Sequence, residues 1–279
     1  MPEQNRLSIS KLDPKVPDNS LIFLKLGGSL ITDKAKPETV RRDVLSNCLA
    51  QIKQWMQENP HSRLVLGHGS GSFGHHTAKT FHTREGVSTE HDWLGYAKVW
   101  YSARKLNNYF IEACAEAGLP VVDFPISAAV ITNNRIMESW NTEALRESLQ
   151  HPLVPVVHGD VCIDHELGGT ILSTEEIFDH LADKLKPIRI LVAGVERGVY
   201  SDYPENKSVI QLIPTDSDFS GFLKGSRASD VTGGMASKVT LMQALARANP
   251  GVTISIFSGL EENSIYKALS GETLGTRII

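Results

Sequence analysis

Residues Leu64–His76 read LVLGHGSGSFGHH: an apolar run, then Gly69, Gly71 and Gly74 in the order G-x-G-x-x-G. After a strand, that order is the fingerprint of a dinucleotide-binding turn, so its reading decides which α/β fold is assigned. A dinucleotide site also needs an acidic residue about 20 positions further on, ending a second strand, to hold the ribose hydroxyls. Glu85, Glu90 and Asp92 lie at that distance, but within HTREGVSTEHDW, which has no strand pattern. His75, His76, Thr77 and Lys79 follow the glycines where a dinucleotide helix would carry small apolar residues. A Walker A loop is absent as well. The stretch reads instead as a cradle for another anion, because glycines let successive backbone N–H groups close on a phosphate.

Two further turns of this kind follow the same logic. Gly27-Gly28-Ser29 ends the apolar run Leu21–Leu26 (LIFLKL), and Asp230-Val231-Thr232-Gly233-Gly234-Met235 opens a helix whose dipole favours negative charge. Lys25 stands inside the apolar strand, where a lysine needs a reason. Lys34 follows in ITDKAK, and Lys238 lies one turn beyond Gly233-Gly234. If these three lysines converge, they clamp a transferring phosphoryl group.

The rest of the chain supports an α/β class. Helical spacing runs through Glu38–Glu58, Trp93–Ala117, Ile177–Leu185, Met235–Asn249 and Leu260–Leu269. Strands are expected at Leu21–Leu26, Arg63–Leu66, Pro120–Phe124, Leu153–Val157, Ile188–Ala193, Thr253–Phe257 and Gly275–Ile279, with an edge strand at Val209–Leu212. Val130–Met137 and Val161–Ile171 read as hairpins, and Ser173 with Glu175-Glu176 as a helix start. Such alternation predicts an open αβα sandwich around a largely parallel sheet, with ligands beyond the carboxyl ends of the strands.

Composition narrows the function. The 279 residues are 41% hydrophobic and 22% charged, with a formal net charge of −4, which speaks against a nucleic-acid partner. Residues 1–20 form a polar, proline-bearing extension without a signal-peptide core, and no run approaches the length of a membrane span. Cys48, Cys114 and Cys162 are far apart, as in a reduced, cytoplasmic protein.

KLGGSLITDK, HGSGSFGHHTAK, PVVHGDV, GVYSDYP and DVTGGMASK together resemble the amino acid kinase superfamily and, within it, the isopentenyl phosphate kinases. The likeness runs in order from Leu21 to Ile279, and the histidine after G-S-F-G is specific to this branch. It implies a homodimeric kinase domain over residues 21–279, with an acceptor lobe to about residue 185 and a nucleotide lobe beyond. The implied reaction moves the γ-phosphate of ATP, with Mg²⁺, to isopentenyl phosphate; dimethylallyl phosphate is a second acceptor. No protein side chain is assigned to the metal.

By position, the resemblance gives Lys25, Lys34 and Lys238 to the phosphates, and Gly27, Gly28 and Ser29 to the nucleotide. Gly69, Ser70, Gly71 and Gly74 would serve the acceptor, with His75 hydrogen-bonding its phosphate. Gly159 and Asp160 match the G-D-V segment, Asp160 orienting Lys25 or Lys34 by charge. Asp230, Thr232, Gly233 and Gly234 match the loop beside the nucleotide phosphates. Two departures stand out. Ala193–Tyr200 reads AGVERGVY where the family often has T-D-V-D-G-V-Y, and Thr174 replaces a common glycine. Phe73, Trp93, Tyr96, Trp100 and Ile126 are candidates for a prenyl-tail pocket, although Trp93, Tyr96 and Trp100 recur at core-packing spacing. The alternatives are a kinase of another small anion, such as a fosfomycin-type phosphonate, and a silent nucleotide sensor.

Overall fold

In the computed structural model, which describes residues 20–202, 205–217 and 234–279, strand β1 (Leu21–Leu26) divides the molecule by its period of two. Ile22, Leu24 and Leu26 enter a core with α2 (Arg42–Glu58), α4 (Glu90–Glu116) and α8 (Ser264–Leu269). Phe23 points the other way, into a core with α6 (Thr174–Leu185) and α7 (Gly234–Ala248). Alternation therefore places Lys25 on the α6 and α7 face, at the carboxyl end of the strand.

Both neighbours of β1 are parallel to it: β2 (Arg63–His68) and β9 (Arg189–Gly194). Beyond β2 lie β6 (Val154–His158) and β3 (Val121–Asp123), again parallel. Beyond β9 lie the parallel β11 (Thr253–Ser258), then β12 (Thr276–Ile278) and β10 (Leu212–Ile213). Only at β12 does the direction reverse, antiparallel to β11. Helices cover both faces, so the central strands are apolar on both sides. The expected αβα sandwich is what forms.

Both expected hairpins also form, from β4 (Ile131–Asn133) with β5 (Ile136–Ser139) and from β7 (Asp160–Asp164) with β8 (Gly168–Leu172). They join side by side through β4 and β7. Gly159 links β6 directly to β7, so this small sheet overhangs the carboxyl edge of the large one.

Several boundaries differ from the pattern reading. Strand β2 runs to His68 and α3 (Gly71–Phe81) starts at Gly71, which leaves only Gly69-Ser70 as loop. Gly28–Ile31 is itself a single turn of helix, α1. Helix α2 begins at Arg42 rather than Glu38, because Thr32 pairs with Val40 and closes residues 33–39 into a loop. The last helix begins at Ser264, and Val209 pairs with Tyr200 before the edge strand at Leu212–Ile213. No helix among the described residues is long and apolar enough to cross a membrane.

Candidate active site

Lys25 lies in register between Gly67 of β2 and Val192 of β9. Gly67 leaves room above the sheet: a Cβ there would come within 2.7 Å of Thr174 Cγ2 and 2.8 Å of Phe178 Cζ. The first turn of α6 fills that room. It is fixed by a capping box in which Ser173 Oγ accepts the Glu176 N–H at 3.2 Å, and Glu176 accepts the Ser173 N–H at 2.6 Å. Glu175 is thereby set beside Lys25, and the two form a buried ion pair. Lys238, in the first turns of α7, reaches the other carboxylate oxygen at 3.6 Å. Burial alone would raise the Glu175 pKa; Lys25 and Lys238 override it and hold the carboxyl below its ordinary range. The result is two ammonium groups steadied on one carboxylate.

Lys34 is exposed on the 33–39 loop and lines the same cleft. Its loop is anchored to α4, where the Glu38 carboxylate accepts from Ser102 Oγ at 3.2 Å and Lys105 Nζ at 2.6 Å. The turns after β1 and β2 meet backbone to backbone. A Cβ on Gly28 would sit 2.2 Å from the Gly71 nitrogen, and Gly71 itself has φ +52°. Not every glycine N–H is left for a ligand. Those of Gly27 and Gly69 donate to Ala193 O at 2.7 Å and Leu26 O at 3.1 Å. Gly159 donates to Thr174 Oγ1 at 3.1 Å. Gly28 and Ser29, by contrast, open α1, and their N–H groups have no intrahelical partner.

One cleft brings Lys25, Gly27, Gly28, Ser29, Lys34 and Lys238 together with Gly69, Ser70, Gly74, His75, Gly159 and Asp160. Gly71 packs behind it, against Thr32. Asp230, Thr232 and Gly233 lie outside the described residues; Gly234 begins α7. Asp160 pairs with neither lysine. Its Oδ1 accepts the Val161 N–H at 2.8 Å, and Glu175 holds the place by Lys25 that the sequence assigned to it. The tail candidates change too. Phe73 and Ile126 are buried in the cores, while Trp93 and Trp100 are 40% and 41% exposed. The apolar end of the cleft is made by Ala78, Val99, Ala103 and Ile171. Val99 and Ala103 follow Tyr96 at helical spacing on α4.

Behind the cleft, His68 hydrogen-bonds Asn107 at 3.1 Å and stacks on His158 with ring centroids 5.1 Å apart. Asn107 and Arg104 in turn donate to Asp123 at 2.9 and 2.6 Å. This buried polar network ties down the strand ends that carry Gly69 and Gly159.

The model of the amino acid kinase family matches residues 20–258. The chain belongs to the amino acid kinase family. Among its relatives in that family, the isopentenyl phosphate kinase of Methanocaldococcus jannaschii is 34% identical over 92% of this chain and 98% of its own. That of Haloferax volcanii is 35% identical over 93% and 98%. A solved isopentenyl phosphate kinase structure superposes with a TM-score of 0.79 at 27% identity, covering 93% of this chain and all of the other. Within this amino acid kinase, the departure at Ala193–Tyr200 is held as a distinct loop. Gly194 O accepts the Gly259 N–H at 2.8 Å, Val195 O accepts Ser258 Oγ at 3.2 Å, and Arg197 pairs with Glu261 at 2.7 Å. Gly194, Val195 and Glu196 line the cleft at the end away from His75. Thr174, the second departure, is a bridge: its hydroxyl donates to His68 O at 2.6 Å while accepting from Gly159.

Proposed function

We propose that this kinase transfers the γ-phosphoryl group of ATP to isopentenyl phosphate, giving isopentenyl diphosphate. The observation that carries the reading is the Lys25–Glu175–Lys238 cluster opening into a cleft that passes His75 and ends on an apolar wall. An acceptor with a charged head and a short hydrocarbon tail suits those two ends.

A phosphate monoester has a second pKa near ~6, so at neutral pH its oxygen attacks without a general base. The barrier is repulsion between anions, and positioned positive charge lowers it. Lys25 and Lys238 serve the nucleotide and transferring phosphates, His75 the acceptor phosphate, and Lys34 the approach between them. The N–H groups of Gly28 and Ser29 face the nucleotide, and that of Ser70 the acceptor. Residues to about 185 supply the acceptor lobe and those beyond it the nucleotide lobe, with Lys25 shared. The donor set, ammonium and N–H groups, fits a polyphosphate; Mg²⁺ on the nucleotide phosphates would add charge neutralisation there.

Purified chain with ATP and Mg²⁺ should release ADP with isopentenyl or dimethylallyl phosphate far faster than with fosfomycin or an unphosphorylated prenol. A preference for fosfomycin would overturn the assignment. We also place the enzyme in the cytoplasm as a homodimer. Trp93, Leu94, Trp100 and Tyr101 are exposed along α4, an apolar face that a second copy would cover. Light scattering on the wild type and on Leu94→Asp tests that.

A further inference from the structure

Asp160 opens β7 directly after Gly159 and lines the cleft, yet it is buried without a counter-ion among the described residues. Its side chain is 1% exposed. Oδ1 accepts the Val161 N–H, and Oδ2 is buried with no hydrogen-bond partner among the described residues. The nearby cation, Arg104 of α4, is engaged by Asp123 at 2.6 Å. Asp123, at the end of β3, is itself a like charge. Ser127, in the 3-10 turn at Ile126–Ala128, and Tyr96 and Cys162 complete the surroundings, with His75, Glu175 and the lysines around the same cleft. Burial pushes the Asp160 carboxyl up to about 7 and Asp123 adds to it, against the pull of the Val161 N–H, the nearby Ser127 and Arg104. A carboxylate in such a place gives up its charge rather than bear the desolvation cost. With Oδ1 held by an N–H, the proton belongs on Oδ2.

We propose that Asp160 is carried as a neutral acid in the wall of the acceptor chamber, and that its ionisation weakens the binding of phosphate dianions; the inference rests on the acceptor assignment above. An arriving dianion is one more like charge, so it favours the protonated form further. Binding and protonation are then linked. Where free Asp160 has ionised, the acceptor binds with uptake of a proton, and affinity falls as pH rises. On the acid side the acceptor must lose its own second proton, near pH ~6. Affinity is therefore greatest in the interval between the two titrations.

Calorimetry on the full chain tests this, with isopentenyl phosphate and inorganic phosphate as separate probes in buffers of differing ionisation enthalpy. Wild type should lose up to about tenfold in affinity per pH unit above the Asp160 titration, with up to one proton taken up at pH 8. Asp160→Asn keeps an acceptor for the Val161 N–H and cannot ionise. It should bind with a flat profile over that range and take up fewer protons. An unchanged slope and uptake in Asp160→Asn, or a wild type flat from pH 7 to 8.5, overturns the role of Asp160. The wild-type profile decides the second of these even where the variant folds poorly. Wild type that shows the linkage with inorganic phosphate but does not phosphorylate isopentenyl phosphate overturns the functional reading and leaves Asp160 its role.

Discussion

Lys25 and Glu175 are ion-paired across the carboxyl end of the sheet, and each side chain is only 7% exposed. Breaking one half of a buried pair leaves the other charge uncompensated, at a cost of about 3–5 kcal/mol. Glu175→Ala should lose stability of that order in urea unfolding. Glu175→Gln, which keeps the shape, should lose less but still lower kcat more than the KM for ATP, since Lys25 and Lys238 no longer share an anchor. Wild-type kcat in Glu175→Gln would refute the positioning role.

His75 sits on α3, away from the nucleotide end of the cleft. His75→Ala should lower kcat/KM for the acceptor by about 100-fold, the scale of one lost donor to a reacting anion. The KM for ATP should stay near the wild-type value. Equal losses in both substrates would show that the change reaches beyond the acceptor.

The stacked pair His68 and His158 gives the protein an acid limit. Burial, and for His68 the neighbouring His158, lowers their pKa values to about 3 and about 4 from 6.5. The unfolded chain therefore binds two more protons than the folded one between about pH 4 and 6.5. Their contribution is complete above 6.5 and is lost as pH falls. Asp160 runs the other way: raised from 3.8 to about 7, it takes up a proton on folding in the same interval and offsets one histidine. From these three groups the net slope is one proton, about 1.4 kcal/mol of stability per pH unit, and it should become roughly twice as steep in Asp160→Asn. Unfolding titrations at pH 4.5, 5.5 and 6.5 on both proteins measure it.

Gly28 and Gly71 meet where the turns after β1 and β2 touch. In Gly28→Ala the new methyl would lie 2.2 Å from the Gly71 nitrogen and 2.6 Å from its Cα, so the turns must part. Overpacking of this kind costs about 1–3 kcal/mol. Melting temperature should fall, and turnover should fall further than stability accounts for, because the N–H donors of both loops move. A variant with wild-type turnover would show that the apposition is not needed for transfer.

Much of this was legible in the residues. The alternation of LIFLKL put Lys25 on a defined face, and Ser173 with Glu176 marked the start of α6 through local capping alone. Glu175 was not assigned a role, although its place in the first turn of a helix following a strand was visible. Its partner is 150 positions away, and only the packing of α6 over Gly67 brings them together. The same limit applies to the candidates for a tail pocket. Large aromatic residues on α4 attract attention, but the fold turns Trp93 and Trp100 outward and leaves Val99 and Ala103 to face the cleft. The glycine donors also needed the structure, since whether an N–H is free depends on what lies opposite it.

Strand β1 lies directly between β2 and β9, so the turn that carries Ser70 and the loop that carries Val195 hang from strands one position to either side of Lys25. Neighbouring strands are held about 4.8 Å apart by the hydrogen bonds between them. The spacing of these turns about Lys25 is thus set by the pitch of the sheet, not by the reach of flexible side chains. Backbone hydrogen bonding serves here as a ruler. A fold that spaces its turns this way can exchange one acceptor for another by altering the chamber walls, while that spacing stays the same.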